Sequence, residues 1–367
     1  MWRVIASLTA MFGLLSGVHA ADLAIVGTID VAKVPPFEKP KKSFEQSHNM
    51  SGMFCPEADW CLVVSDELKG LHRLKVDRTG ELPLLSYDTA LTFDPPSQQF
   101  LASHEMADAD FKELDLEAIA SDGDGVIFLG SHANKRNSGE INPTAHLVAI
   151  ANTAALKASA TAIPQWASLD KLFQKEGMFP DALYKQLQCG GVNIEGATVF
   201  DGKLLIGLRS PTHGTDGSAP GAFVISTPLD GLANEDFSQA TLWTLPMEVP
   251  FIGIRAMDTV GDSVIIVTGD AGVNDLKAGV TMECAANVNK EDPARPFELR
   301  AWKPREGDVL AQGPLFVFDG VVEKDFDGAD VRAKVEGIAS DPGRPNAFFL
   351  LYDGSAKVRY LTDITLP

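Results

Sequence analysis

The feature that most constrains this chain is a two-strand motif that occurs five times at irregular intervals. Each copy has an apolar residue, a polar or charged residue, a small residue and an apolar strand, followed by a turn and a second, strongly apolar strand. Repeats of one supersecondary unit predict an architecture in which every copy occupies an equivalent position. The polar or charged positions are, in chain order, Ser51, Glu117, Glu195, Arg255 and Glu336.

The clearest copy predicts strands over residues 194–200 and 203–208. Between them lies Asp201-Gly202, a pair that is typical of a tight β-hairpin turn. A third strand candidate follows most copies and a fourth follows some, so the repeating unit is a four-stranded antiparallel sheet. We therefore predict an all-β fold, a β-propeller, with five four-stranded blades favoured.

Two alternatives stay open from the sequence. A sixth, degenerate blade would fit within residues 153–188, although residues 168–174 and 181–188 have a helical pattern. A β-sandwich with a fortuitous repeat is the other alternative. The last copy shows only three clear strands, and residues 23–29 form a strand candidate without a partner. We predict that this N-terminal strand joins the last blade and closes the ring.

The connections between predicted strands differ strongly in length. In a propeller, the connections from strand two to strand three share a face with those that lead to the next blade. Every long insertion belongs to one of these two classes, so one face is predicted to carry the long loops, where function usually resides. The insertions cover residues 90–113, 132–144, 152–192, 210–221 and 270–296.

The first 20 residues have the features of a secretory signal peptide. Arg3 precedes an apolar run over residues 4–18, and Val18-His-Ala20 fits a small-residue cleavage site. No later stretch predicts a membrane span. We therefore expect residues 21–367 to form a single propeller domain that is exported, either periplasmic or secreted.

The chain is acidic, and this restricts its partners. Removal of residues 1–20 takes away one arginine and leaves 30 basic and 50 acidic side chains, a net charge of −20. Such a charge argues against nucleic acid and anionic membrane surfaces as partners.

Four cysteines predict two disulfides in an oxidising compartment, because no CxxC or zinc-type spacing is present. Cys55 and Cys61 flank a hairpin tip and are expected to form a local bridge. Cys189 and Cys284 would then pair with each other by elimination, and both lie in long insertions of the loop-rich face.

The functional site is predicted at the mouth of the central channel, on the loop-rich face. Strand one of each blade lines the channel and strand two ends at the same face, so residues distant in sequence converge there. The expected ligand-binding residues are Asp115, Glu117, His132, Asn193, Glu195, Arg209, Arg255, Asp270 and Glu336.

Three carboxylates crowded at one mouth need compensation for their charge. Arg209 and Arg255 would provide it in a purely structural ion-pair network. Alternatively, Glu117, Glu195 and Glu336 would hold a divalent cation, most naturally Ca²⁺. In the third alternative, a polar ligand completes the network.

Several motifs resemble those of a bacterial family known as domain of unknown function 3616. They are Leu114-Asp-Leu-Glu-Ala-Ile-Ala120 with Leu129-Gly-Ser-His132, Asn193-Ile-Glu-Gly196 with Gly207-Leu-Arg-Ser-Pro211, and Val335-Glu-Gly-Ile338. The resemblance covers about residues 45–365 and implies a propeller fold without an established activity. The chain is more distantly similar to secreted phytase-like propellers, which implies metal-assisted ester hydrolysis. However, the second copy reads Glu-Ala where those proteins have Glu-Gly, and their catalytic residues have no recognisable counterparts here.

Two functional hypotheses follow. In the first, the mouth binds a small polar ligand or an envelope protein without chemistry. In the second, the protein is a divalent-cation-dependent hydrolase of phosphoesters or related esters, in which His132 transfers protons. Whether the protein is an enzyme is left open by the sequence.

Overall fold

A computed structural model describes residues 23–28, 50–66, 70–106, 114–136, 138–213, 221–272, 292–307, 310, 313–318, 322–324, 330–332, 334–353, 355 and 357–367. These residues are mainly β-structure. The strands are β1 (Ala24–Thr28), β2 (Met50–Glu57), β3 (Trp60–Ser65), β4 (Gly70–Asp77), β5 (Leu84–Phe93), β6 (Leu116–Ser121), β7 (Gly125–Gly130), β8 (Leu147–Asn152), β9 (Thr161–Ala162), β10 (Gln165–Ser168), β11 (Asn193–Phe200), β12 (Lys203–Ser210), β13 (Gly221–Pro228), β14 (Thr241–Pro246), β15 (Ile252–Val260), β16 (Ser263–Asp270), β17 (Glu298–Trp302), β18 (Phe316–Val317), β19 (Val322–Lys324), β20 (Asp330–Arg332), β21 (Val335–Ser340), β22 (Phe348–Tyr352) and β23 (Lys357–Leu361).

The helices are short and lie in the connections. The α-helices are α1 (Gln98–Ser103), α2 (Thr153–Ala158), α3 (Asp170–Gln174) and α4 (Leu229–Leu232), and the 3₁₀ helices are Pro143–His146, Leu187–Cys189 and Pro304–Glu306. Within the described residues, every helix is too short or too polar to cross a lipid bilayer.

The strands group into sheets that follow the predicted repeat. Unit 1 contains β2 to β5, unit 2 contains β6, β7, β8 and β10, unit 3 contains β11 to β14, and unit 4 contains β15 to β18. Unit 5 contains β21, β22 and β23, and β1 adds to β23 as its antiparallel neighbour. The prediction that the N-terminal strand joins the last sheet is therefore confirmed.

The first strand of each unit takes part in a closed ring. We call β2, β6, β11, β15 and β21 the inner strands; each contacts the next, and β21 contacts β2. This arrangement confirms the predicted β-propeller. Because β1 also touches β5 through a single parallel bridge between Gly27 and Leu85, units 1 and 5 form one continuous sheet.

The apolar core is divided into layers, each between two neighbouring units. The second strands are buried on both faces, as predicted, because they are covered on each side by another sheet. Examples of residues from neighbouring units that share a layer are Leu62 and Phe128, Leu129 and Ile206, Val224 and Ile266, Val267 and Leu350, and Phe349 and Val63.

The small residue of the repeated motif is explained by the crowding of the inner strands. A Cβ atom on Gly52 would lie 2.8 Å from the carbonyl oxygen of Glu117 on the next inner strand. A Cβ on Gly196 would lie 2.8 Å from Cγ of Met257, again on the neighbouring inner strand. Since such distances are shorter than normal contacts, glycine at these positions lets the ring close tightly.

Two local predictions are confirmed in the hairpins. Asp201 and Gly202 both have positive φ, 53° and 71°, as the tight turn between β11 and β12 requires. Cys55 and Cys61 form a disulfide across the β2–β3 hairpin, with their Cα atoms 4.0 Å apart. Cys284 and residues 1–20 lie outside the described residues, so the second bridge and the signal peptide stay predictions.

The segment that could have held an additional blade has a different structure. Residues 168–174 contain α3, as the pattern predicted, but residues 181–188 form turns that lead into the 3₁₀ helix Leu187–Cys189. The helical prediction for 181–188 was therefore wrong. The segment also contributes β10 to the outer edge of unit 2, a strand of four residues that the sequence pattern did not reveal.

Candidate functional site

The charged side chains of the channel are placed by β-bulges. The pairing of β6 with β7 skips Glu117, and equivalent skips occur at Glu195, Arg255 and Glu336 on the other inner strands. A bulge leaves one residue out of the ladder and redirects its side chain. Four inner strands thus place their charged residue in a backbone position of the same kind.

Three of these residues line one cavity in the channel. Glu117, Glu195 and Glu336 line a cavity of about 10 Å³, together with small and apolar residues of the inner strands, which is roughly the room that one water molecule needs. Pockets for drug-sized ligands usually measure roughly 300–1,000 Å³. The cavity therefore suits a small chemical group better than a whole sugar or nucleotide.

One side of the channel contains a chain of alternating charges. Nη1 of Arg209 lies 2.8 Å from Oε1 of Glu195, and Nη1 of Arg255 lies 2.8 Å from Oε2 of Glu195. Arg255 also pairs with Glu336 through its second terminal nitrogen. The side chains of Glu195 and Arg255 are 4% and 2% exposed. We call these four residues the Arg–Glu chain.

The outer end of the Arg–Glu chain is fixed by the backbone. Nη2 of Arg209 donates a hydrogen bond of 2.6 Å to the carbonyl oxygen of Gly272, and Nε lies 3.4 Å from that of Ala271. At the other end, burial and then the charge of Asp353 raise the pKa of Glu336 to about 8, despite the opposing effect of Arg255. The chain is thus extensively paired, as the structural alternative predicted for its arginines.

Glu117 differs from the other two glutamates. Among the described residues, no hydrogen bond or ion pair reaches its carboxylate. Burial, followed by the negative charges of Asp115 and Glu195, raises the pKa of Glu117 well above its ordinary value. A donor or a positive charge brought into the channel would therefore interact favourably with Glu117.

Asp115 lies directly before β6 and is turned by a positive φ of 48°. Its carboxylate accepts a hydrogen bond from the hydroxyl of Ser131. Burial raises the pKa of Asp115 as well. Asp115 and Glu117 thus form an acidic pair on unit 2 that lacks the arginine partners present on units 3 to 5.

Two further acceptors on the loop-rich face have no hydrogen-bond partner among the described residues. Oδ1 of Asn193, at the start of β11, is buried and unpaired. Nε2 of His146 is also unpaired, whereas Nδ1 lies 2.7 Å from Oδ1 of Asp170. Since a carboxylate favours the tautomer with the proton on Nδ1, Nε2 is the acceptor of that tautomer.

His132 occupies an internal position. It is fully buried; its Nδ1 lies 3.1 Å from the carbonyl oxygen of Gly130, and Nε2 accepts a hydrogen bond of 3.3 Å from the amide of Leu169. Burial lowers the pKa of His132 to about 3, and the neighbouring His146 adds to this effect. Both nitrogens are used inside unit 2, so the geometry offers His132 no proton to exchange with a channel ligand.

Asp270 is bonded to residues of the connection between β16 and β17. Its carboxylate accepts hydrogen bonds from the amides of Gly272 and Asp292 and pairs with Nη1 of Arg295 at 2.6 Å. Asp270 thus has its acceptors occupied by protein groups. Of the residues predicted for the mouth, the structure brings Glu117, Glu195 and Glu336 together at the cavity, with Arg255 and Arg209 behind Glu195.

The predicted calcium site has no preformed ligand set in the part of the chain that the structure describes. No group of three or more His, Cys, Asp or Glu side chains is arranged there to hold a metal ion. Two of the three predicted ligands, Glu195 and Glu336, are paired with Arg255. Calcium binding stays a prediction.

The sequence did not point to His146 and Asp170. His146 ends a 3₁₀ helix immediately before β8, outside the repeated two-strand motif. The position of His146 directly before the third strand of a unit could have indicated that it lies at the loop-rich face. Asp170 comes from the beginning of α3, and no local pattern relates it to His146.

The fold and its polar channel define the chain as a β-propeller. Residues 49–162 match the model of the family described as protein of unknown function DUF3616. The resemblance drawn from the motifs is thereby confirmed for this part of the chain, which contains Asp115, Glu117 and His146.

Several solved structures are similar to the chain at low identity. A glycosyl hydrolase from Bacteroides ovatus is 12% identical, with 94% of this chain and 96% of that chain covered and a TM-score of 0.43. An auxiliary nutrient binding protein from Bacteroides thetaiotaomicron is 12% identical, with 92% and 75% covered and a TM-score of 0.35. The β-propeller domain of Cps50 (Swd1) from Myceliophteria thermophila is 10% identical, with 82% and 66% covered and a TM-score of 0.30.

With TM-scores this low, these similarities do not bear on the activity of the chain. A comparison with curated proteins gives no match.

Proposed function

We propose that this propeller is an exported binding protein that captures a small polar group, positively charged or rich in hydrogen-bond donors, at the mouth of its channel. The observation that carries the proposal is a set of three acceptors without hydrogen-bond partners among the described residues at the loop-rich face. Nε and Nη1 of Arg255 also lack hydrogen bonds, but the charge of Arg255 is paired with the two glutamates of the Arg–Glu chain. The carboxylate of Glu117, Oδ1 of Asn193 and Nε2 of His146 are all acceptors. A buried acceptor without a donor costs about 1–3 kcal/mol, which a donating ligand recovers.

The electrostatics of the channel favour a cationic group in particular. The positive charges of Arg209 and Arg255 are already neutralised by Glu195 and Glu336. Glu117, by contrast, is surrounded mainly by other acids, which raise its pKa. An ammonium group would relieve this repulsion, whereas an anionic ligand would increase it.

The size of the cavity limits what enters. A cavity of about 10 Å³ admits a group of roughly the size of one water molecule, such as the ammonium end of an amine, while the rest of the ligand would remain among the loops of the mouth. The inserted group can belong to a small molecule or to a lysine of an envelope protein. Export is supported by the Cys55–Cys61 disulfide, a bond typical of oxidising compartments.

No observation favours the hydrolase hypothesis over binding. Its proton carrier, His132, has both ring nitrogens engaged inside unit 2. Its proposed metal ligands Glu195 and Glu336 are paired with Arg255. Calcium nevertheless remains a candidate occupant, so the test includes it.

Thermal melting of the purified protein with defined probes tests the proposal. The probes are putrescine and glucosamine as amines, glucose and glucuronate as neutral and anionic counterparts, and calcium chloride. We expect the amines alone to raise the melting temperature, because a ligand at 100 times its Kd stabilises the native state by about 2.7 kcal/mol.

Two variants locate the effect. Glu117→Gln removes the negative charge of the cavity and should abolish the stabilisation by amines. Glu81→Gln, in the exposed turn between β4 and β5, is the matched control and should leave it intact. Equal stabilisation of both variants, or a response to calcium or glucuronate instead of amines, would overturn the proposal.

A further inference from the structure

His72 is a buried histidine that the proposed binding site does not use. It lies on β4, is 0% exposed, and neither ring nitrogen has a hydrogen-bond partner among the described residues. Its nearest aromatic neighbour is Tyr87 on β5, with the ring centroids 5.9 Å apart in an edge-on arrangement. Unpaired buried polar groups in native proteins are rare, so this position calls for a physical explanation.

The register of the sheet shows which layer His72 faces. His72 lies directly opposite Val63 on β3, and opposed residues of an antiparallel pair share one face. Val63 packs in the layer between units 1 and 5, with Phe349 of β22 and Tyr360 of β23. His72 therefore belongs to the seam where the first and last sheets of the ring meet.

Among the described residues, the charged groups near the seam offer His72 no counter-ion. Side chains alternate between the two faces of a strand, so Arg73 and Lys75, which neutralise Asp88, lie on the other face of β4. Arg359 alternates with Tyr360 on β23, extends over the ring of Tyr352, and bonds to the carbonyl oxygen of Leu23. Tyr87 and Tyr360 are the titratable members of the described apolar cluster that fills the layer.

A cluster at the border of the same layer is also already paired. Asp341 is neutralised by Arg78, and the hydroxyl of Tyr360 donates to the same carboxylate. Glu336 of β21 points into the channel and pairs with Arg255, and Glu57 of β2 is bound by Lys157. Consequently, a proton on His72 would place an uncompensated positive charge among apolar side chains.

The other fully buried histidines of the described chain do not share this situation. His132 has a partner at both nitrogens, and His146 is held by Asp170. Both belong to unit 2, away from the seam. When the pH falls, protonation of His72 therefore introduces a positive charge into the seam that no described residue neutralises in the closed ring.

We propose that the layer between units 1 and 5 is an acid-sensitive seam, in which protonation of His72 loosens the packing of β3 and β4 on β22 and β23 while the other layers stay closed and β1 still links the two units. The contacts that would open are those of β3 and β4 with β22 and β23. The inner strands β2 and β21 also meet at this seam, so the opening extends to the wall of the channel.

The direction of the pH effect follows from linkage. Burial lowers the pKa of His72 from 6.5 to about 4. The closed state disfavours the charged ring, so the closed form loses stability as the pH falls from 6.5 towards 4 and is unaffected above 7. When the pH is lowered from 7.5 to 4.5, the equilibrium constant for opening of the seam should increase roughly 50- to 100-fold relative to a variant without a titrating side chain at position 72.

Hydrogen exchange of the full chain at pH 7.5 and 4.5 tests the proposal. Intrinsic amide exchange rates depend on pH, so the strands are compared with one another within each sample and not between the two pH values. At pH 4.5 we expect β4 and β22 to exchange much faster than β12 and β16, which lie outside the seam. In His72→Leu this selective increase should disappear, and His213→Gln, in an exposed loop position, should behave like the natural protein.

Two results would overturn the proposal. One is an unchanged selective increase in His72→Leu, because the sensor would then be another group. The other is equal acceleration of all strands at pH 4.5, which would indicate global unfolding. Should His72→Leu fail to fold, His72→Gln provides a second non-titrating side chain with the same expected loss of the pH response.

Discussion

Both sides of the channel mouth present charged side chains from β-bulges, but among the described residues these side chains are ion-paired on one side and not on the other. On units 3 to 5, bulged inner strands present Glu195, Arg255 and Glu336, which join Arg209 in the Arg–Glu chain. On unit 2, the equivalent bulge presents Glu117, for which the described residues provide no ion pair.

This contrast separates a structural role from a binding role within one site. A buried ion pair is strongly destabilising to break but leaves little capacity for a ligand. An unpaired carboxylate reduces the stability of the folded protein and gains most from a ligand. The asymmetry of the ring thus suggests that units 3 to 5 hold the channel together and that unit 2 provides the binding surface.

The largest expected effect comes from breaking the Arg–Glu chain at its centre. Arg255→Met removes the cation between Glu195 and Glu336 and leaves both buried carboxylates without it. We expect a loss of about 3–5 kcal/mol in the free energy of unfolding, the usual cost of orphaning a buried charge. Urea denaturation at pH 7.5 measures this loss.

A surface ion pair provides the control for this substitution. Arg305 pairs with Asp201, and both side chains are largely exposed. Arg305→Met should destabilise the protein far less than Arg255→Met, because solvent screens such pairs. If Arg255→Met were no more destabilising than this control, the Arg–Glu chain would lose its structural role and the contrast between the two sides would fail.

A smaller effect of opposite sign is expected on unit 2. Glu117 has a raised pKa in the folded protein, so its folded state is favoured at low pH and loses stability as the pH rises above the unfolded pKa. Glu117→Gln should therefore stabilise the protein at pH 8 and change its free energy of unfolding little near pH 4.

Urea denaturation of the natural protein and Glu117→Gln across this pH range measures the difference. Glu81→Gln, with its exposed side chain, should show no comparable pH-dependent gain. A destabilised Glu117→Gln at pH 8 would mean that the carboxylate has a stabilising partner. Unit 2 would then be a structural element like its neighbours.

The sequence predicted the parts of this site that depend on repetition. The motif of an apolar, a charged and a small residue recurs because each inner strand must approach the next, as Gly52 and Gly196 show. It therefore identified the propeller and the residues that face the channel. The N-terminal strand was found for a related reason, because the last unit lacked a fourth strand.

The same pattern could not show which carboxylates have partners. Glu117 and Glu195 occupy equivalent motif positions, and only the arrangement of Arg209 and Arg255 in space distinguishes them. Likewise, the His146–Asp170 pair joins a 3₁₀ helix to the start of α3, with β8, α2, β9 and β10 between them in sequence. Contacts of this kind depend on loop conformation, for which the repeat contains no information.

The smallest expected effect concerns Asp170, whose side chain is 37% exposed. Although burial opposes it, the hydrogen bond from His146 holds the pKa of Asp170 below its ordinary value. The resulting stabilisation is present above the pKa that Asp170 has in the unfolded chain. It is lost as the pH falls through the pKa of Asp170 in the folded protein. After allowance for solvent screening, Asp170→Asn should cost about 0.5–1 kcal/mol at pH 7 and less at pH 3.

The more informative measurement for Asp170→Asn is the NMR spectrum of the His146 ring. In the natural protein the proton should reside on Nδ1, and loss of the carboxylate should allow the Nε2 tautomer to appear. If His146 accepts a donor from the ligand, binding of putrescine should weaken by more than the loss of stability explains. An unchanged tautomer and unchanged binding would confine the ligand contacts of unit 2 to the acids beside the channel.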